Sequence, residues 1–176
     1  MSQRNTLPGD SAPTGARSGT PTGAWASLRS LFSGPPAPSG QGEPAARSYG
    51  TLRTESEWQQ LLSREQYQVL RRAGTERSGS SPLNKEQRAG TFTCAGCAAP
   101  LFSSKSKFES GTGWPSFWQA MDQAVVEESD SSLFMQRVEV LCRGCGGHLG
   151  HVFDDGPQPT GMRYCMNGVA LNFKPT

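Results

Sequence analysis

Apolar residues are scattered without period over the first 46 positions, take helical spacing from about residue 52, and break into short turn-bounded runs beyond Gly90. Trp58, Leu61 and Leu62, then Tyr67 and Leu70, recur at i, i+3 and i+4, which predicts two short helices. Thr54 with Glu57 and Ser63 with Gln66 have the spacing of capping boxes and place the two starts. Gly74, just past Arg71 and Arg72, is the expected C-cap, with cations where the helix dipole favours them. The runs Gly90–Cys94, Leu133–Cys142, His148–Phe153 and Met162–Phe173 are bounded by Gly, Pro and Asp and read as β-strands.

Composition sets the boundary. Residues 1–46 hold seven Gly, seven Pro and seven Ser, a stretch with too little apolar surface to offset the entropy of ordering it. Residues 1–50 are therefore expected to be a disordered tail or a targeting segment, and residues 51–176 the folded domain. Trp25, Leu28, Leu31 and Phe32 fit one side of a short helix, either an incidental cluster or a docking or targeting motif. Arg4, Arg17 and Arg29 against only Asp10 and Glu43 resemble an organelle transit peptide, and no apolar stretch has the length of a secretory h-region.

Charge and hydropathy narrow the function. After residue 53 there are 12 basic and 13 acidic residues, a net of −1, so no nucleic-acid partner is expected. The apolar runs are only a few residues long, against about 18 for a membrane span, so none is expected.

The chain has five cysteines. Cys94-Ala-Gly-Cys97 and Cys142-Arg-Gly-Cys145 are two C-x-x-C pairs, in which Gly96 and Gly144 are expected to permit tight knuckles. Two such knuckles supply the four thiolates of a structural zinc site, which saturate the ion and leave no place for an activated water. The long gap between the pairs means that the metal staples two distant hairpins of one domain. The fifth cysteine, Cys165, lies in Arg163-Tyr164-Cys165-Met166-Asn167, where strand alternation puts Arg163, Cys165 and Asn167 on one face. It is either a buried, inert thiol or a nucleophile whose thiolate the nearby Arg163 would favour.

The chain's two histidines, His148 and His151, sit three apart, and a bulge at Gly150 would bring both rings to one side. A pair of structural histidines is the alternative; together with Cys165, Arg163 and Asn167 they suggest a thiolate beside a proton donor. In Ser110-Gly-Thr-Gly-Trp-Pro-Ser-Phe117, glycines flank Thr112 and Pro115 stiffens the end of the loop, so Trp114 is held where it can wall an apolar pocket.

With those segments in that order, the chain from about Glu57 to Phe173 resembles the B-type methionine sulfoxide reductases, which reduce methionine-R-sulfoxide. Asp155-Gly156-Pro157 and Thr160-Gly161 belong to the same likeness. The resemblance implies a mainly β fold, two antiparallel sheets in a zinc-stapled, tent-like domain with short N-terminal helices. It implies Cys165 as catalytic nucleophile, His148 and His151 as groups that bind and protonate the sulfoxide oxygen, and Asn167 and Arg163 on the polar side. Trp114 would pack on the substrate methyl, and Cys94, Cys97, Cys142 and Cys145 would bind Zn2+. Many family members carry a resolving cysteine where this chain has Thr112. A one-cysteine cycle is therefore expected, served by thioredoxin, by glutathione with glutaredoxin, or by another thiol. Oxidised proteins are the expected substrates, the expected state is a monomer, and the expected compartment is the cytoplasm, with the chloroplast or another organelle as alternative.

Overall fold

A computed structural model describes residues 49–130 and 137–176. The expectations for residues 1–48 and for 133–136 lie outside the described residues.

Helices α1 (Glu55–Leu61) and α2 (Arg64–Arg72) start where the sequence puts them. Thr54 accepts from the Glu57 amide while Glu57 accepts from the Thr54 amide, and Ser63 and Gln66 repeat the exchange. The end of α2 differs from expectation. Ala73, not Gly74, takes the left-handed conformation, at φ 50°. Gly74 serves by close approach instead: its N–H donates to the Gln68 carbonyl, and a Cβ would sit 2.9 Å from that oxygen.

Beyond the helices the described residues form nine strands: β1 (Gly90–Cys94), β2 (Pro100–Ser103), β3 (Lys107–Phe108), β4 (Ser116–Phe117), β5 (Val125–Asp130), β6 (Arg137–Cys142), β7 (His148–Phe153), β8 (Arg163–Met166) and β9 (Leu171–Pro175). They make two antiparallel sheets, β2-β1-β9 and β3-β4-β8-β7-β6-β5. The run Met162–Phe173 is two strands in different sheets, divided by a 3-10 turn at Gly168–Ala170. The chain crosses between sheets directly after the segment that carries Cys165.

Aromatic residues join the sheets. Phe117 of β4 stacks on Phe102 of β2 at 4.4 Å and meets Phe92 of β1 edge-on at 4.9 Å. Phe92, Phe102 and Phe117 are all fully buried. Each such ring removes on the order of 2–3 kcal/mol worth of apolar surface from water, so this triplet packs one sheet against the other. Trp58 and Leu70 of the helices close one end, lying against Gly96 and Gly147 beside the cysteine knuckles.

A bulge in β7 shapes the site. Val140 pairs with Gly150 and Leu141 with His148, so β7 carries one extra residue, Leu149, between them. The insertion puts His148 and His151 on one side, with ring centroids 5.4 Å apart. Gly150 is needed there because β8 runs close by: a Cβ would lie 2.2 Å from the Cys165 carbonyl oxygen. Gly150→Ala should therefore destabilise the fold by about 2–4 kcal/mol, as overpacking against backbone does. Urea unfolding measures this, and a loss below about 1 kcal/mol would show that β7 and β8 separate easily.

Candidate active site and metal-binding cluster

Cys165 lies on β8 between β4 and β7, paired with Ser116 on one side and His151 on the other. It opens into a pocket of about 170 Å³ lined by Trp114, His151, Asn167, Thr75, Arg137, Phe153 and Gly150. The pocket thus unites Cys165, Trp114, His151 and Asn167 from three separate sequence segments.

Trp114 is held by its loop. Gly111 and Gly113 take φ 71° and 88°, the left-handed region that the flanking glycines predict. The loop is laced to residues 76–79: Gly79 N–H donates to the Gly113 carbonyl, Ser78 Oγ to the Thr112 carbonyl, and Trp114 Nε1–H to the Glu76 carbonyl at 3.2 Å. Glu76 also steadies the opposite wall. Its N–H donates to Asn167 Oδ1, and its carboxylate accepts from the Gly168 and Val169 amides at 2.7 and 2.8 Å. Asn167 Nδ2 donates to the Leu149 carbonyl, which leaves its second hydrogen for the pocket.

His151 Nε2–H donates to Asp130 Oδ2 at 3.1 Å, and Arg137 reaches the same oxygen at 2.8 Å. His148 stands behind this wall, buried at 3% exposure and not on the pocket lining, with Nδ1 2.6 Å from Glu139. Its Nε2 is buried and without a hydrogen-bond partner among the described residues. Burial pushes the His148 pKa below its ordinary 6.5, outweighing the opposite pull of Glu139, so the ring is neutral in the fold near pH 7. A depressed pKa gives stability that is present above about 6.5 and lost as pH falls through the folded value. Unfolding midpoints should therefore decline below about pH 6.5 in the wild type and decline less in His148→Gln; equal slopes would contradict this.

Arg163 is not on the pocket lining, yet its charge still pulls the Cys165 thiol toward the thiolate, as the sequence suggests. Its guanidinium is bound two-pronged by Asp155 at 2.8 and 2.9 Å and lies over the Phe153 ring. Burial raises the Cys165 pKa, and a hydrogen bond from Thr112 and the partly neutralised Arg163 oppose that without overcoming it. Thr112 Oγ1 is 3.9 Å from Cys165 Sγ.

The other four cysteines converge elsewhere. Their sulfurs all lie within 4.8 Å of one another, placed to bind a metal ion. Cys94 and Cys145 are 3.7 Å apart and Cys97 and Cys142 3.6 Å. A tetrahedron of sulfurs about 2.3 Å from an ion has edges of about 3.8 Å, so the donor set fits one. Cys94 ends β1 and Cys142 ends β6, so the cluster ties one sheet to the other. The left-handed residue of each knuckle follows the second cysteine, Ala98 at φ 61° and Gly146 at φ 69°; Gly96 and Gly144 have no positive φ. Gly144 instead gives clearance, since a Cβ would lie 3.1 Å from Cys97 Sγ.

Glu76, Asp130, Arg137 and Glu139 escape sequence reasoning. Glu139 faces His151 across β6 and β7, and His151 faces Cys165 across β7 and β8. Alternation along β6 could have put Arg137 and Glu139 on one face, but their place at the site depends on strand register.

A half-buried thiol facing a histidine bonded to a carboxylate, in a chain that also gathers four cysteine sulfurs placed to bind a metal, is an arrangement suited to thiol-dependent chemistry. Comparison with known proteins makes this specific. The SelR domain model matches residues 62–175. The chain is 55% identical over 123 residues to "Peptide methionine sulfoxide reductase MsrB" of Methanosarcina barkeri, covering 69% of this chain and 87% of that protein. It is 51% identical over 128 residues to the protein of that name from Leptospira interrogans, covering 72% and 98%, and 54% identical over 124 residues to that of Pseudomonas putida, covering 70% and 93%. The chain belongs to the B-type methionine sulfoxide reductase family.

Proposed function

We propose that this protein reduces methionine-R-sulfoxide, mainly in oxidised proteins, to methionine at Cys165. The observation that supports it best is the pocket itself, lined by a thiol, an indole and a histidine that Asp130 holds from outside the lining. A sulfoxide is a polarised S–O dipole, and protonation of its oxygen makes the sulfur electrophilic. Trp114 packs on the methyl, while His151 and Asn167 take the oxygen side, which separates two substituents of a stereocentre. That the accepted epimer is R follows the family likeness.

The Cys165 thiolate attacks the sulfoxide sulfur. His151 supplies the proton from the wall, and His148 supports it from behind through water. The oxygen passes to Cys165, methionine leaves, and the cysteine sulfur is oxidised by two electrons to a sulfenic acid as the substrate sulfur is reduced by two. Arg163, fixed by Asp155, supports the polar flank. An outside thiol, from thioredoxin or from glutathione with glutaredoxin, then attacks the sulfenic acid, releasing water and leaving a mixed disulfide on Cys165, and a second reductant thiol attacks that disulfide and frees Cys165. The other four cysteines are in the metal cluster and a hydroxyl, not a thiol, stands at Thr112, so no cysteine is spare for an internal disulfide. The cluster's ion is zinc, which four thiolates saturate in a structural role. Such chemistry suits a reducing compartment such as the cytoplasm.

One equivalent of the R sulfoxide, without reductant, should release one methionine and add about 16 Da, a single oxygen on Cys165. A loss of about 2 Da with zinc retained, an internal disulfide, would overturn the one-cysteine cycle.

A further inference from the structure

Thr112 does not touch Cys165 alone; it heads a row of three hydroxyls. Thr112 Oγ1 is 2.8 Å from Ser110 Oγ, and Ser110 Oγ is 2.7 Å from Ser116 Oγ. Ser116, the β4 residue paired with Cys165, is fully buried, and its hydroxyl reaches the Trp114 carbonyl at 3.3 Å. Each hydroxyl has one hydrogen to give. Ser110 can donate to Thr112 or to Ser116, but not to both, so the row has two polarities.

We infer that Thr112, Ser110 and Ser116 form a reversible hydroxyl chain that serves Cys165 in both protonation states, with Thr112 as the contact and the two serines as positioning residues. With a thiol, Cys165 S–H donates to Thr112, Thr112 to Ser110, Ser110 to Ser116, and Ser116 to the Trp114 carbonyl. When the thiol gives its proton to the pocket, the three O–H bonds rotate. Ser116 then donates to Ser110, Ser110 to Thr112, and Thr112 to the thiolate sulfur. No O–H bond breaks, and the only acceptor left without a hydroxyl is the Trp114 carbonyl. The inference rests on Cys165 being the nucleophile.

This exchange of polarity sets the sign of two substitutions. A hydrogen bond to the charged sulfur is about twice as strong as a neutral one, so it outweighs the weak S–H donation and the carbonyl bond forfeited together. Thr112→Val removes it and should make the thiolate harder to form. Ser116→Ala removes two bonds from the thiol polarity but one from the thiolate polarity, and should make the thiolate easier to form. Other charged and titratable groups around the sulfur are Arg163 with Asp155 on the β8 side, and His151 with Asp130 and Arg137 from β7, β5 and β6. All of them remain in every variant.

The test uses the zinc-loaded full chain and follows carbamidomethylation of Cys165 by iodoacetamide, read by peptide mass spectrometry from about pH 7 to 11.5. The midpoint should rise by about half a pH unit or more in Thr112→Val, stay within about 0.2 units in Thr112→Ser, and fall by about half a unit in Ser116→Ala. Opposite signs from two hydroxyl deletions are not what loosened packing would give. An unmoved or lowered midpoint in Thr112→Val would overturn the inference. So would Thr112→Ser shifting as far as Thr112→Val, or Ser116→Ala shifting upward. If Ser116→Ala fails to fold, the Thr112 pair decides. Alkylation needs no sulfoxide turnover, so a failed nucleophile assignment would show separately, as activity surviving Cys165→Ser.

Discussion

Cys94→Ser should leave a chain that no longer holds its two sheets together, with at least about 5 kcal/mol of stability lost out of the 5–15 typical of a domain. Cys94 is fully buried at the end of β1, and its sulfur lies 3.7 Å from Cys145, across the junction between the sheets. Removing one thiolate leaves three ligands and a buried hydroxyl where four thiolates would saturate an ion. Chelating the metal from the wild type under reducing conditions should do the same, because four thiols free of metal share one small space. The hydrogen bonds among the sulfurs hold the Cys97 and Cys142 thiols below their ordinary pKa and those of Cys94 and Cys145 above it. Urea unfolding with and without chelator measures the loss. A chelated protein with the wild-type midpoint would contradict a metal-dependent fold.

Cys165→Ser should show the reverse division of effects. The side chain lines a pocket and its contact with Thr112 is long, at 3.9 Å, so stability should change by less than about 1 kcal/mol. Turnover should drop by roughly 10³-fold or more, since a serine hydroxyl at neutral pH is a far poorer nucleophile than a thiolate. The same atom-for-atom exchange should thus destabilise the protein at one cysteine and silence it at another. Far-UV circular dichroism and initial rates on both variants check the pair. A Cys165→Ser variant retaining a tenth of wild-type turnover would place the chemistry elsewhere.

Features decided within a few residues could be read from the sequence: both capping boxes, the Gly90–Cys94 and His148–Phe153 strands, the two cysteine knuckles and the left-handed glycines around Thr112. Features decided by register could not. Strand β5, Val125–Asp130, is an edge strand of mostly half-exposed residues without clean alternation, and its neighbour β6 gives it its conformation. The break inside Met162–Phe173 arises because Asn167 bonds back to Leu149 while Glu76 caps the following turn, contacts that span 18 and 91–93 residues. The setting of Arg163 is hidden for a similar reason, since its charge is answered by Asp155, eight residues earlier, across a turn.

Whether Cys165 reduces one epimer of methionine sulfoxide is tested most directly by turnover. Zinc-loaded wild type and Cys165→Ser should be given the R and S epimers of an N-blocked methionine sulfoxide separately, with dithiothreitol as reductant. Methionine should form from the R epimer alone, and not at all with Cys165→Ser. Turnover of neither epimer by folded, metal-replete wild type, or equal turnover by Cys165→Ser, would overturn the proposed reaction.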